Sequence, residues 1–561
     1  MYQNRNIYGG LIMIFDYSYA DYAFKNGRVI TVNERDEIVE AVAVKGNKIV
    51  YVGDNAELEK IIDNNTKVID LKGRTLTPGF IDTHYHPILN GFFGNTEDAA
   101  IINTGYSNCK SIKDIIELIK KAAAKRKPGE WISMMGYDHN RVEEKRHITI
   151  EEMDKAAPNN PVQCMRMCGH ICMYNTLALN SVGIFTPEDA KKFAQDEVVV
   201  ENSKLTGMLK DHSHFYIWSK VVYTDEQQRA AAMKSKDLLL RNGITSVHDA
   251  GECDKPSYHI MQSLCRSGEF KIREYMMLHS IFGKPVSLED NEHFLSLGLQ
   301  SGLGDEHFKI GTCKFMIDGG TSGPSCATRE PYCHNPDMPG ILGWEREEVA
   351  EYIKKINDAG CQASAHAVGD LAIEFMVEGY EKAFKTNPRP EARHRIEHCA
   401  IVDQDLIYRM SKLNICPSTN PGMIAWNGRN YTKFYGDRMK YFIALRSMID
   451  AGVMVSIGSD APSGPVESMS ILDACVNRID RVTNESVDQT QKITILEAIR
   501  LYTYNGAYSS YEEKIKGSIE VGKLADIIVL SENILSYPQD KILDIKVDMT
   551  IIDGKIEYER K

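Results

Sequence analysis

The chain has 561 residues, of which 43% are hydrophobic and 26% are charged, and its formal net charge at pH 7 is −12. A chain of this length exceeds what one hydrophobic core holds, so we expect two or three domains. The acidic balance, without a long Lys/Arg block, disfavours nucleic acid and anionic membranes as partners. No apolar run in the sequence reaches the ~18 residues of a membrane span.

The N-terminal stretch GGLIMIF does not predict a signal peptide. It is short, it is soon followed by Asp16 and Asp21, and it lacks both a strongly basic segment and a small-residue cleavage site. Met13 is an alternative start to Met1. Residues 1–12 would then be a disordered tail or no part of the protein.

Thirteen cysteines, an odd number without a regular framework, predict reduced thiols and a cytoplasmic setting. The nearest approach to a cluster is formed by Cys164, Cys168 and Cys172. A structural zinc site needs paired cysteines with further ligands. We therefore expect buried thiols there, as is common for free cysteine.

Both ends of the chain are predicted to be all-β. Residues 22–77 contain short β-branched segments separated by Asn-Gly, Lys-Gly and Gly-Asp turns, and KGSIEVGKLADIIVL and DMTIIDGKIEYE near the C-terminus have the same pattern. We expect the two ends to pair into one small β-sandwich. The predicted domains are residues 1–77 and 511–561 for the sandwich and residues 78–510 for the part between them.

Between these ends, strand-like and helical segments alternate. Helix starts are indicated by capping boxes, Thr224 with Gln227 and Thr494 with Glu497. Eight strand-like segments predict a distorted (β/α)₈ barrel, a TIM barrel of the α/β class. In chain order they are TLTPGFIDTH, GITSVHD, REYMML, GTCKFMID, CQASAHAV, RHRIEHC, NICPS and VMVSIGS. The gap between the first two is too long for one helix, so residues 88–235 are predicted to form an α+β insertion that covers the functional end of the barrel.

The first predicted barrel strand ends in His84 and His86. Residues two apart on a strand point to the same side, so both imidazoles can reach one ion. Asp82 lies on the same face and is a candidate to orient one of them. A His-x-His pair on a surface would mean little by itself, but at the end of a barrel strand, where active sites form, it indicates a metal site.

His366 and His398 follow the fifth and sixth predicted strands, and Asp460 follows the eighth. Either histidine alone could be an ordinary core or loop residue. Together with the first pair they give four nitrogen ligands, a set suited to Zn²⁺, Ni²⁺ or Fe²⁺. A carboxylate at the end of a buried strand is costly unless it binds metal or is paired. As a metal ligand, Asp460 could also move a proton from water to a leaving nitrogen.

Lys314 lies in the fourth predicted strand and allows two interpretations. As a cation it would repel metal and would pair with Asp318 or another acid. Burial and nearby metal lower the pKa of a lysine, and the neutral amine can react with CO₂ to give a carbamate, an anionic ligand able to bridge two ions. The strand position alone does not decide between them.

These motifs resemble those of the metal-dependent amidohydrolase superfamily, and the resemblance covers nearly the whole chain. Within the superfamily the chain is most similar to the amidohydrolase-3 branch, the YtcJ-like and N-substituted formamide deformylase-like proteins. The segments that carry the resemblance are Pro78–His86, Gly243–Gly251, Trp131–Asp138, Arg166–Asn175, Lys314–Gly319, His366–Asp370, Arg395–His398 and Gly517–Asp526.

The resemblance implies a binuclear site in which Lys314 is carboxylated and bridges two divalent ions. We expect two zinc ions, with Fe, Ni or Mn as alternatives. The candidate ligands of one ion are His84, His86 and Asp460, and those of the other ion are His366 and His398.

Three further residues are candidates for substrate binding. The resemblance places the insertion segment with His170 near the cleft, where it could bind a substrate carbonyl or carboxylate, and packing or helix capping is the alternative. Asp138 and Arg329 are candidate specificity residues that could equally make ordinary loop contacts. The segment 318–322, Asp-Gly-Gly-Thr-Ser, departs from the usual Asp-Gly-Ser-Leu-Gly, so the resemblance leaves the substrate open.

We therefore predict a metal-dependent hydrolase that cleaves a non-peptide amide-type C–N bond, of the N-acyl or N-formyl amine class, by metal-activated hydroxide. Asp460 is the predicted catalytic proton shuttle. The expected partner is a small-molecule amide, not nucleic acid or a membrane, and the sequence leaves a homo-oligomer open.

Three alternatives stay open. A mononuclear deaminase or D-aminoacylase-like hydrolase would use one ion, but deaminases usually carry a catalytic Glu just after the fifth-strand His, where this chain has Ala367-Val368-Gly369-Asp370. Hydrolysis of an ester or a lactone would use the same residues. A non-catalytic barrel would have lost metal ligands, and this chain keeps every candidate.

Overall fold

A computed structural model of the protein describes residues 19–193, 197–251, 256–279, 289–337 and 340–561. The predicted tail and both candidate start residues lie outside these ranges. No helix in the described part of the chain is long and apolar enough to cross a membrane.

Eight parallel strands form the central sheet, one from each predicted segment. They are Phe80–Tyr85, Ile244–Asp249, Arg273–Leu278, Phe308–Met316, Ala363–Ala367, Arg395–His398, Cys416–Thr419 and Ser456–Ile457, called the first to eighth barrel strands below. Nearly all of their residues are buried, as expected for a parallel sheet covered by helices. The amide of Asp460 donates to the carbonyl of His84 over 2.7 Å, which brings the eighth strand beside the first. The predicted barrel is confirmed.

Helices alternate with the barrel strands and pack around them. They are Asp225–Arg241, Pro256–Ser267, Glu289–Ser296, Arg346–Asp358, Asp370–Thr386, Gln404–Lys412, Gly422–Tyr435, Leu445–Asp450, Ser468–Val476, Ile495–Leu501 and Tyr504–Ser509. The capping boxes predicted at Thr224 and Thr494 are both present, each with the side chain at the third helical position bonded back to the cap. Local sequence therefore fixes these two helix starts.

Strands from both chain ends form the two sheets of the β-sandwich, as predicted. One sheet contains Tyr22–Lys25, Ala41–Lys45, Lys48–Gly53 and Lys67–Asp70. The other contains Arg28–Ile30, Ile38–Val39, Thr75–Pro78, Ile527–Leu530, Val547–Ile552 and Lys555–Glu559. Phe24, Val42, Leu76 and Ile527 belong to one buried cluster that fills the space between the sheets. The exact domain boundaries stay a prediction.

The predicted α+β insertion lies between the first and second barrel strands. Its seven-stranded sheet contains Phe93–Gly94, Ile101–Asn103, Ile132–Tyr137, Val162–Arg166, Ile171–Tyr174, Val198–Glu201 and Lys204–Lys210. Its helices are Pro87–Phe92, Ile112–Lys125, Ile150–Ala156, Thr176–Asn180 and Asp211–Trp218. Ile115 and Ile119 of one helix join Ile132 of the sheet in a core separate from that of the barrel. Cys164 and Cys172 are buried free thiols, as expected, whereas Cys168 is a free thiol that is only partly buried because it lines the cavities beside the barrel.

A buried ion pair joins the barrel to the sandwich. The guanidinium of Arg273, on the third barrel strand, donates to both carboxylate oxygens of Asp526 (2.6 and 3.0 Å) and to Asp553 (2.6 Å). Arg273 and Asp526 are both almost completely buried. Breaking such a pair leaves a charge without its partner in a medium of low dielectric.

We predict that Asp526→Ala lowers the free energy of unfolding by roughly 3–5 kcal/mol, because Arg273 then stays buried with an incomplete set of partners. Chemical denaturation followed by circular dichroism measures the change. Glu57→Ala is the control, since Glu57 forms an exposed pair with Lys60 and its removal should have little effect. Equal destabilisation by the two variants would contradict the prediction.

Candidate metal centre

The structure brings His84, His86 and Asp460 together at the end of the barrel where the first and eighth strands meet. The Nε2 atoms of His84 and His86 lie 3.5 and 3.4 Å from Oδ1 of Asp460. One potential ligand atom from each of the three buried residues lies within 4.8 Å of the others. Asp82 accepts the backbone amides of His84 (3.2 Å) and Ser459 (2.9 Å), so it holds the ends of these strands together rather than orienting an imidazole.

Hydrogen bonds behind the site fix the tautomers of three histidines. The Nδ1 atom of His84 donates to Glu397 (2.8 Å) and that of His86 donates to the carbonyl of Gly251 (2.7 Å). The Nδ1 atom of His398 is 2.8 Å from Oδ1 of Asn420, whose amide group donates to Gly458. Each Nε2 is therefore left with a lone pair, the arrangement that metal-binding histidines usually have.

His366 completes a row of imidazoles. Its ring centroid lies 4.3 Å from that of His398, which lies 4.5 Å from that of His84. The Nε2 atom of His366 donates to the carbonyl of Gly319 over 3.2 Å, which leaves Nδ1 for a ligand. Burial lowers the pKa of His84, His366 and His398, so these imidazoles are neutral, the form that binds metal.

Lys314 points its amine at the same site from the fourth barrel strand. Its Nζ donates to the carbonyl of Ala250 (2.8 Å) and lies 3.4 Å from Nε2 of His84. Burial lowers the pKa of Lys314 to about 8. Asp318, the partner considered in the alternative interpretation, instead accepts the backbone amides of Ala327, Val368 and Gly369. The lysine is thus placed beside the histidines and not beside that acid.

Asp460 is a buried carboxylate that remains ionised. Burial alone would raise the pKa of Asp460, but the electrostatic interactions with His86, His398 and His84 outweigh it, so the pKa lies below its usual range. The backbone of Asp460 has φ 57° and that of His398 has φ 69°. Non-glycine residues rarely adopt such values, and strain of this kind concentrates at functional sites.

The residues present fit a site for divalent metal. Three Nε2 atoms, one Nδ1 atom and a carboxylate are nitrogen and oxygen donors of the type that Zn²⁺ and similar ions prefer. The neutral imidazoles and the ionised Asp460 are in the protonation states that metal binding requires.

The sequence interpretation missed the roles of Glu397, Asn420 and His279. Arg395 and Glu397 lie two apart on the sixth strand, a spacing that could have indicated two polar groups on the same face. Asn420 left no signal that the sequence alone could reveal. His279, just beyond the third strand, lines a cavity together with His86 and Lys314.

Of the three candidate substrate-binding residues, only His170 reaches the site. Two cavities adjoin the candidate ligands, and His170 lines both of them. The ring centroid of His170 is 5.3 Å from that of His366. The structure does not place Asp138 or Arg329 in the described part of the cavity walls. Asp138 is buried against Arg166 (2.9 Å), and Arg329 is held by salt bridges to acidic residues at 3.0 and 2.5 Å. Their predicted roles therefore gain no support from the geometry.

The amidohydrolase family matches residues 67–558 of this sequence, and the chain belongs to that family. The N-substituted formamide deformylase of Arthrobacter pascens is 26% identical over 96% of this chain and 98% of its own length. YtcJ of Bacillus subtilis, named as an amidohydrolase, is 28% identical over 95% of this chain and 98% of its own length.

Solved structures show the same fold. An uncharacterised metal-dependent hydrolase from Pyrococcus horikoshii superposes with a TM-score of 0.71 at 23% identity, covering 92% of this chain and 99% of that one. A second, from Pyrococcus furiosus, gives a TM-score of 0.67 at 23% identity, covering 91% and 98%. The family match and these relatives show that the protein is an enzyme, a hydrolase of the amidohydrolase family.

We predict that Asn420→Ala weakens metal binding by about 10–100-fold, because the acceptor that orients His398 is lost. Competition with a chelator, followed by metal analysis, measures the affinity. Asn427→Ala is the matched control, since Asn427 lines the same cavity but contacts none of the candidate ligands in the described hydrogen bonds. A similar loss in both variants would argue against an orienting role for Asn420.

Proposed function

We propose that this amidohydrolase cleaves a non-peptide amide-type C–N bond in an N-acyl or N-formyl amine. The observation that carries the proposal is that the six candidate residues line one cavity, with Nζ of Lys314 3.4 Å from Nε2 of His84. The formamide deformylase of A. pascens, similar over almost the whole chain, supports this bond class. Two cavities with largely apolar walls and a few polar groups adjoin the site, as is typical of small-molecule sites.

We propose that the site binds two divalent ions, with zinc as the first candidate and Fe, Ni or Mn as alternatives. His84, His86 and Asp460 would hold one ion, and His366 and His398 the other. Lys314 as a carbamate would bridge them. When bound, the ions would lower the pKa of a water molecule and polarise the carbonyl of the substrate.

The protein groups bind the substrate and move the proton. Asp460 is ionised and buried, so its carboxylate can accept a proton from water and deliver it to the nitrogen as the C–N bond breaks. His170 lies at the wall of the cavity, where its ring can bind the carbonyl side of the substrate. The mononuclear deaminase alternative is weakened because Asp370 begins a helix and accepts the amide of Arg329.

Metal content per chain, by plasma mass spectrometry on protein purified without a chelator or a His-tag, tests the proposal. We expect two equivalents of a divalent ion, from the donor set described above. One equivalent would favour the mononuclear alternative. None, after reconstitution with metal and bicarbonate, would contradict a metal hydrolase.

We predict that Asp460→Asn lowers kcat by about 10²–10⁴-fold, because the amide cannot carry the proton. The amide oxygen can still act as a ligand, so metal content should change little. Steady-state kinetics and metal analysis on the same sample give both quantities. Asp98→Asn, the same change at an exposed residue that lines neither cavity, should keep kcat near that of the wild type. An unchanged kcat in Asp460→Asn would exclude the proton-shuttle role.

We predict that Lys314→Ala loses bound metal and that a short carboxylic acid such as propionate partly restores it, since the acid supplies the carboxylate that the carbamate provided. In the wild type, ¹³C-bicarbonate should give a protein-bound carbamate signal in the NMR spectrum. The control is Lys516→Ala, because Lys516 is equally buried but paired with Glu512 at 2.8 Å. Full metal content in Lys314→Ala would show that Lys314 does not bridge.

A further inference from the structure

Two cavities meet at the candidate metal centre. They share six lining residues, which are Cys168, His170, His366, His398, Asp460 and Ser463. Beyond these, one cavity extends past the seventh strand and the other extends under the insertion. We call them the seventh-strand lobe and the insertion lobe. A substrate bond placed at the shared residues therefore borders on both cavities.

Each lobe has a largely apolar wall. In the seventh-strand lobe the wall is formed by Met423, Trp426, Tyr431, Phe442 and Ile443. In the insertion lobe it is formed by Leu89, Met135, Phe215, Trp218 and Met316. Concave apolar surface of this kind beside a few polar groups is typical of a small-molecule site. Filling it with an apolar group removes that surface from water, which is favourable.

Ionisable groups in the described parts of the two walls are confined to the metal centre and its surroundings. No arginine or glutamate lines either lobe there, and the lysine and aspartate present are Lys314 and Asp460. The nearby guanidinium of Arg166 is buried behind the wall and donates to Asp138 and to the carbonyl of Ser322. Away from the metal centre, a carboxylate carried into either lobe would lose its hydration without gaining a salt bridge from the described wall residues, which is costly.

We propose that the substrate is a neutral secondary amide with an apolar substituent on the carbonyl carbon and another on the nitrogen, one in each lobe. This rests on the proposed function and narrows it. The C–N bond breaks, the oxygen of water bonds to the carbonyl carbon, and one proton passes to nitrogen, giving a carboxylic acid and an amine. A formamide would leave one lobe unfilled, and an N-acyl amino acid would bring a carboxylate into a lobe.

Three matched substrates test the class on the metal-loaded full-length enzyme. N-benzylphenylacetamide has an aromatic group on each side, N-benzylacetamide lacks the one on the carbonyl side, and N-phenylacetyl-phenylglycine adds a carboxylate next to nitrogen. We expect kcat/KM for the first to exceed that of the second by about 10-fold, from burial of one ring. It should exceed that of the third by about 100-fold, from desolvation of the carboxylate.

Two variants test whether the lobes divide the substrate. Trp426→Ala opens the seventh-strand lobe and Phe215→Ala opens the insertion lobe. The gain in kcat/KM from the carbonyl-side ring is the ratio of N-benzylphenylacetamide to N-benzylacetamide, and the gain from the nitrogen-side ring is its ratio to N-methyl-2-phenylacetamide. One variant should abolish the first gain, and the other variant should abolish the second. Phe185→Ala, at a residue that is 66% exposed and lines neither lobe, is the control. Thermal melting and metal content verify that each variant is folded and loaded.

The outcomes separate this proposal from the proposed function. If the metal-loaded enzyme hydrolyses none of these amides or the corresponding formamides, both fail. If amides are hydrolysed but N-phenylacetyl-phenylglycine or N-benzylacetamide has a kcat/KM equal to or above that of N-benzylphenylacetamide, amide hydrolysis stands and the two-lobed class is overturned. The two-lobed class is also overturned if both lobe variants lose the gain in kcat/KM from the same ring, or if neither variant loses a gain.

Discussion

The buried contact between Glu397 and His84 is the interaction on which the candidate metal centre depends. Glu397 accepts from Nδ1 of His84 on one side and from the guanidinium of Arg395 on the other, at 2.7 and 3.0 Å. Burial alone would raise the pKa of Glu397, but Arg395 and His84 lower it well below its usual range. A carboxylate that stays charged inside the barrel therefore fixes which nitrogen of His84 faces the site.

The charge of Arg395 is compensated by a complete set of acceptors. Besides Glu397, its N–H groups reach the carbonyl of Thr83, Nδ1 of His248 and Oγ of Ser509. All five donors of a guanidinium are thus used, which is the condition under which a buried ion pair is tolerable. Because these partners come from several barrel strands and a helix, the order of the barrel and the orientation of His84 depend on the same contacts.

The rest of the site follows from how the strand ends are held. Asp82 ties the backbone of the first strand to that of the eighth, and the strained backbone at His398 and Asp460 directs both side chains inward. The insertion contributes His170, Phe215 and Trp218 to the wall of the cavity beside the site. The barrel thus carries the candidate ligands, while a separately packed unit forms part of the wall of the adjoining cavity.

The sequence by itself determined the eight strands, the sandwich formed by both ends, and the positions of the six candidate ligands. These depend on local regularities, the two-residue period of a strand and the capping of a helix, and on the rule that ligands lie at strand ends. Only the tertiary structure decided that Asn420 and the carbonyl of Gly251 orient histidines. It also decided that Asp138 and Arg329 are held by salt bridges away from the cavity. Such contacts join residues far apart in the chain, and strand register and loop path determine them, which no local pattern specifies.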